Sequence, residues 1–187
     1  MEYRELGYIF DFDGVLVDTM ALHFASYGQA LKEFGVPIDK EQFYYQAGMT
    51  GREQIRYFCD QAGSTADVEE IYRRKTEIAG TKLDLVTPIP CNISLLSVLR
   101  KAGIPTAIAS GSSKPSILPV VKKYSIEVDA IVSSEDVSRG KPHPDLFLEA
   151  AGRIKVKPEN CIVMEDSEVG IQAALAGGMR ALRFYRK

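Results

Sequence analysis

The chain has no tryptophan, two histidines and three cysteines. So few nitrogen and sulfur donors, with no CxxC pair among the widely spaced Cys59, Cys91 and Cys161, exclude an ordinary zinc site. An odd cysteine count also argues against a disulfide framework and predicts buried free thiols in a reducing compartment. No apolar run approaches about 18 residues, and the stretch Met1 to Leu6 is charged. Neither a membrane span nor a signal peptide is therefore expected, and the composition is that of a cytoplasmic protein. A basic excess is missing too: 23 Lys+Arg stand against 25 Asp+Glu, a formal net charge of -2. That excludes a dedicated binder of nucleic acid or anionic membrane, and leaves room only for a local basic pocket. Repeats and low-complexity tracts are absent. What is present is 187 residues, 45% of them hydrophobic. This is enough for one well-buried core plus an insertion.

The texture of the chain changes twice. Tyr8 to Phe12 is a short apolar run broken by Asp11 and reads as a buried strand. From Met20 the spacing turns helical, with Met20, Phe24, Tyr27, Leu31 and Phe34 on one stripe and Gly35 as its stop. Gln42 to Phe58 is expected to contain a turn at Gly48-Met49-Thr50-Gly51. Over Asp67 to Thr76, Glu69 with Arg73 and Glu70 with Arg74 form i, i+4 pairs on a solvated helix face. After Pro88-Ile89-Pro90, strands alternate with helices. The expected strands are 105–110, 130–132, 161–164 and 181–184. The apolar helix stripes are Leu95/Val98/Leu99/Ala102, Ile117/Val120/Val121/Tyr124 and Phe147/Ala150/Ala151/Ile154. Such alternation predicts an α/β, Rossmann-like parallel sheet with helices on both faces. The strand at Tyr8 has no other partner and belongs to that sheet. The expected organisation is a core of residues 1–19 and 87–187, with residues 20–86 inserted as a helical-bundle cap.

Open parallel sheets bind ligands beyond the carboxyl ends of their strands. At those ends stand Asp11-Phe12-Asp13-Gly14, Ser110-Gly111-Ser112, Gly140-Lys141-Pro142 and Glu165-Asp166-Ser167. Four carboxylates gathered on one edge repel one another unless a cation lies among them, and an all-oxygen set suits Mg²⁺. A lysine and the donors of a Ser-Gly-Ser turn would hold phosphate oxygens. One carboxylate can attack phosphorus and form an aspartyl-phosphate. The second Asp of a D-x-D pair is near enough to protonate the leaving oxygen and then activate water. Phosphoryl transfer through an acyl-phosphate is the chemistry indicated.

These segments resemble, in order, the four motifs of the haloacid dehalogenase (HAD) superfamily. Asp11 to Thr19 is similar to the first and Ile108 to Ser112 to the second. Gly140-Lys141-Pro142-His143-Pro144-Asp145 is similar to the third, and Val163 to Ser167 with Gly170-Ile171 to the fourth. The likeness spans essentially the whole chain. It implies Asp11 as nucleophile and Asp13 as general acid/base. Mg²⁺ would be held by Asp11, Asp166 and the backbone carbonyl of Asp13, with Glu165 close by or holding a metal water. Ser110 and Lys141 would bind the transferred phosphoryl group, with Gly111 and Ser112 in the same cradle. An insertion after the first motif resembles the helical cap of the sugar-phosphatase and β-phosphoglucomutase subfamily. There His23 and Arg52 would contact substrate, beside Gly48. The expected activity is a Mg²⁺-dependent phosphatase acting, as a monomer, on a small phosphorylated metabolite such as fructose 1-phosphate. The alternative is a β-phosphoglucomutase, against which stands Ala47, where those mutases carry lysine before the cap glycine. A remote alternative is an inactive phosphometabolite-binding protein.

Other readings fit these positions less well. An EF-hand counted from Asp11 would need Gly and Glu where Leu16 and Leu22 stand. Gly140-Lys141 is no Walker loop, since Pro142 replaces the Ser/Thr. Ser167 and Glu168 read as the cap and first-turn charge of a helix. His143 reads as loop geometry, Asp18 and Thr19 as hinge residues, and Phe43, Tyr44 and Tyr45 as packing.

Overall fold

A computed structural model describes residues 6–45 and 50–184. The chain divides into two compact units, one of Met1–Asp18 with Thr87–Lys187 and one of Thr19–Val86.

The first unit is built on a five-stranded parallel sheet. Its strands are β1 (Gly7–Phe10), β4 (Thr106–Ala109), β5 (Ala130–Val132), β6 (Cys161–Glu165) and β7 (Arg180–Arg183), in the order β5-β4-β1-β6-β7. The apolar run after Tyr8 thus lies at the centre, with Ile9 opposite Ala107 on one side and Val163 on the other. Two short strands, β2 (Val17–Asp18) and β3 (Thr87–Pro88), pair antiparallel where the chain leaves this unit and returns to it. Four helices connect the sheet: α5 (Pro90–Lys101), α6 (Lys114–Lys123), α7 (Asp145–Ile154) and α8 (Glu168–Ala176).

The α7 stripe is buried as its spacing predicts, with Phe147, Ala150, Ala151 and Ile154 packed against Ile9, Ala107 and Val163. Burying Phe147 alone contributes about 2–3 kcal/mol. A Cβ on Gly7 would come within 3.0 Å of Ile154 Cδ1 and 3.1 Å of Val156 Cγ2, so glycine there lets the end of α7 close onto β1. The stripe of α5 is different from expectation. Leu96 and Leu99 are buried with Asn92, whereas Val98 is 63% exposed. Periodicity misplaces this face because an amide shares it: Asn92 Nδ2 donates to the Val15 carbonyl at 2.7 Å.

The second unit contains α1 (Met20–Glu33), α2 (Lys40–Tyr45), α3 (Gly51–Gln61) and α4 (Val68–Gly80). Tyr27, Leu31, Phe43, Ile55, Phe58 and Ile71 form its core. Gly51 opens α3 instead of lying in a turn, because Thr50 and Glu53 form a capping box at its start. The expected ion pairs on α4 also differ. Arg73 turns to Glu77 at 2.7 Å, Arg74 reaches Glu33 of α1 at 2.6 Å, and Glu69 is taken by Arg52 of α3. Partners from other helices outcompete local spacing here. Of the three thiols Cys59 and Cys161 are buried, and burial pushes Cys161 up to about 11. Cys91, expected to be buried, is exposed in the first turn of α5. Among the described residues no helix is long and apolar enough to cross a membrane.

Candidate active site

The carboxyl end of β1 is where the first unit gathers its chemistry. Asp11 follows the central strand, 6% exposed, and its N–H donates to the Met164 carbonyl of β6 at 2.9 Å. The chain then reverses tightly. Leu16 and Val17 N–H groups both donate to the Phe12 carbonyl at 3.1 Å. Gly14, at φ +89°, supplies the left-handed step, and its N–H donates to Val17 at 2.7 Å. This reversal presents Asp13 at the same strand end as Asp11.

Lys141 is brought in by the loop between β5 and α7, through a cis Lys141-Pro142 peptide. Its Nζ donates to Asp11 Oδ1 at 2.7 Å and also to Glu165 Oε1. Phe147 covers it, with the ring centre 5.1 Å from Nζ. Burial raises the Asp11 carboxyl well above its ordinary range; Lys141 opposes that shift, while Glu165 and Asp13 add to it. Burial works against the Lys141 charge, yet the two carboxylates more than offset it, and the ammonium titrates above its usual range.

Glu165 is fully buried at the end of β6. Its second oxygen accepts from Ser167 N–H at 2.6 Å and Ser167 Oγ at 2.9 Å. Carboxylate oxygens of Asp11, Glu165 and half-buried Asp166 lie within 4.8 Å of one another. Ser167 caps α8 as its sequence suggests, accepting from Gly170 N–H at 3.1 Å, and also orients Glu165. Gly170 gives no signal in the sequence beyond its place in the fourth motif. A Cβ there would overlap the Glu165 carboxylate. Gly170→Ala is expected to displace Glu165 from Lys141 and to cost about 1–3 kcal/mol, the usual range for overpacking. Urea denaturation measures the loss, and a variant as stable as the parent would contradict this packing.

The turn after β4 supplies the remaining donors. Ser110, buried, receives a bond from Ser112 N–H at 3.0 Å and donates to Asp13 Oδ2 at 3.1 Å. Ser112 Oγ donates to the same Oδ2 at 2.7 Å. Gly111 is exposed between them, with open space where a Cβ would stand. Six residues from four strand ends thus meet: Asp11, Asp13, Ser110, Lys141, Glu165 and Asp166.

A sequence model described as haloacid dehalogenase-like hydrolase matches residues 8–184. The chain belongs to this family. It is 31% identical to the fructose-1-phosphate phosphatase YqaB of Escherichia coli, over 97% of each chain. It is also 31% identical to the β-phosphoglucomutase of Bacillus subtilis, over 93% of this chain and 80% of the relative. Among solved structures, CbbY from Rhodobacter sphaeroides in complex with phosphate superposes with a TM-score of 0.84 at 27% identity, covering 94% of this chain and 84% of that one. Membership of the family and these relatives support a hydrolase or phosphotransferase.

The helical unit holds the other residues singled out in the sequence. Arg52 makes a two-pronged bond to Glu69, at 2.7 and 3.0 Å, and stacks over Tyr72 with its guanidinium carbon 4.2 Å from the ring centre. His23 is half-buried on α1, edge-on to Tyr27. Gly48 and the neighbouring Ala47 lie outside the described residues. One residue of this unit had no signal in the sequence. Lys75 is buried, with 7% exposure, and its ammonium sits 4.8 Å from the Tyr27 ring centre. A run of charged residues such as Arg73-Arg74-Lys75 hides which one points inward. His143 is exposed in its loop.

Proposed function

We propose that this family member is a Mg²⁺-dependent phosphatase that hydrolyses a small phosphorylated metabolite, a sugar phosphate, through an aspartyl-phosphate on Asp11. The observation that carries the proposal is the placement of Asp11. It sits at the end of the central strand, 2.7 Å from the Lys141 ammonium, with the acid/base candidate Asp13 two residues on. The oxygen-only set of Asp11, Glu165 and Asp166 fits a hard divalent cation such as Mg²⁺, and the Asp13 carbonyl would be a further ligand, as the family resemblance implies. Bound there, the cation would neutralise the gathered carboxylates and favour the ionised, nucleophilic form of Asp11.

The residues divide the work as follows. Lys141 and Ser110 hold the phosphoryl oxygens and screen their charge as the Asp11 carboxylate approaches. The Asp11 oxygen bonds to phosphorus while the ester P–O bond breaks, and the departing oxygen takes the proton of Asp13. Water then attacks phosphorus, giving its proton back to Asp13, and the bond to Asp11 breaks to release inorganic phosphate. Glu165 acts on this sequence by fixing Lys141. We extend the proposal to residues 20–86 as a cap on a core of 1–19 and 87–187. On it, Arg52, His23 and Gly48 would contact substrate, Arg52 at the group distal to the phosphoryl. Arg52 would have to exchange Glu69 for that contact.

The equal identity to a β-phosphoglucomutase supports a second reading, in which the phosphoryl group returns to a sugar hydroxyl instead of water. Ala47, in place of the mutase lysine, favours the phosphatase. A screen of sugar and short-acid phosphates with Mg²⁺, run beside β-glucose 1-phosphate isomerisation, separates the two. Phosphate release is expected to dominate. Rapid isomerisation with little phosphate released would reverse the choice.

A further inference from the structure

The Ser110-Gly111-Ser112 turn faces two demands with only two hydroxyl protons. A serine hydroxyl carries one proton. Here Ser110 and Ser112 both spend theirs on Asp13 Oδ2, at 3.1 and 2.7 Å. Neither proton can serve Asp13 and a phosphoryl oxygen at once, so the two roles must be divided. The geometry divides them unequally. Ser110 has the longer contact and lies buried directly at the end of β4. Ser112 has the shorter one, and its backbone is tied on both sides. Its N–H goes to Ser110 Oγ at 3.0 Å, and its carbonyl accepts from Ser134 N–H at 3.1 Å.

We propose that Ser112 is a positioning residue for Asp13, holding the carboxyl in place when Ser110 turns its proton toward the phosphoryl group. Because Ser112 donates to Oδ2, that oxygen is the acceptor side of the carboxyl, and the proton given to the leaving oxygen is carried on Oδ1. In the transfer the Oδ1–H bond breaks, the proton goes to the ester oxygen, and the P–O bond electrons leave with that oxygen. This inference rests on the reading of Asp13 as the acid/base group and removes Ser112 from the set that grips phosphate.

The test compares two esters by kcat/KM, which reports the steps up to departure of the leaving group. A hexose phosphate needs its leaving oxygen protonated; p-nitrophenyl phosphate releases a stable anion and does not. Ser112→Ala is expected to lower kcat/KM by up to about tenfold for the hexose phosphate, the weight of one hydrogen bond to a neutral carboxyl. For the aryl ester the loss should stay within about twofold, and Ser112→Thr, which keeps the hydroxyl, should recover the hexose phosphate rate. Equal losses on both esters would mean that Ser112 grips the phosphoryl group, and the inference would fall. A parent enzyme that hydrolyses neither ester would instead overturn the phosphatase reading beneath it.

Discussion

Asp11→Asn is expected to reduce phosphate release by at least about a thousandfold while leaving the protein folded. The loss is that large because the amide cannot form the covalent bond to phosphorus, and the carboxylates of Asp13 and Glu165 are held by other partners. Asp13 is committed to the two serine hydroxyls, and Glu165 is fully buried with both oxygens engaged by Lys141 and Ser167. The fold should survive for an electrostatic reason. The Asp11 carboxyl is already pushed well above its usual range by burial and by two neighbouring carboxylates, so removing its charge relieves repulsion while forfeiting one ion pair to Lys141. Steady-state phosphate release and circular dichroism check the two halves separately. Unchanged hydrolysis in the variant would sink the aspartyl-phosphate mechanism.

Lys141→Met should have the opposite balance, with stability and activity lost together. Lys141 is the ammonium shared by Asp11 and fully buried Glu165, and its own side chain is only 11% exposed. Removing one partner of a buried charge cluster leaves the others uncompensated, at a cost of about 3–5 kcal/mol. Methionine fills the same volume beside Phe147, so the loss reports charge and not a cavity. Urea denaturation should show a midpoint shift without a change of slope. Added Mg²⁺ should raise the variant's midpoint more than the parent's, since the variant's carboxylates have no other cation to satisfy them. A variant of parental stability would mean that Lys141 does not hold this cluster together. A rise in midpoint no greater than the parent's would speak against a cation site among Asp11, Glu165 and Asp166.

Much of the molecule is legible from local patterns, because each of those patterns has a local cause. The apolar run at Tyr8 reads as a buried strand because only a central position covers both of its faces. The α7 stripe reads correctly because its face is purely apolar. Legibility fails where a residue's partner lies far along the chain. Asn92 draws the buried face of α5 toward Leu96 through a bond to Val15, 77 positions away. Glu69 and Arg74 each abandon a partner four residues off for one on another helix. Spacing along one helix cannot rank such competitors, since surface pairs differ by only a few tenths of a kcal/mol.

The opening scarcities bear on the same division. With two histidines and three separate thiols, the chain had no nitrogen or sulfur set to offer a cation; its strand-end residues indicated phosphoryl transfer, and the resemblance of its four motifs, in order, implied the family. Those inferences need only residue type and order. Tertiary structure alone decided how the groups are wired. It gave Lys141 both Asp11 and Glu165, placed Gly170 where the Glu165 carboxylate must lie, and turned Ser112 onto Asp13. It also left Cys91 exposed and Lys75 buried, against what composition suggested for each. The physical reason is that a hydrogen bond acts only over about 3 Å and in one direction. Which groups come that close is settled by packing between strands and helices that the sequence places tens of residues apart.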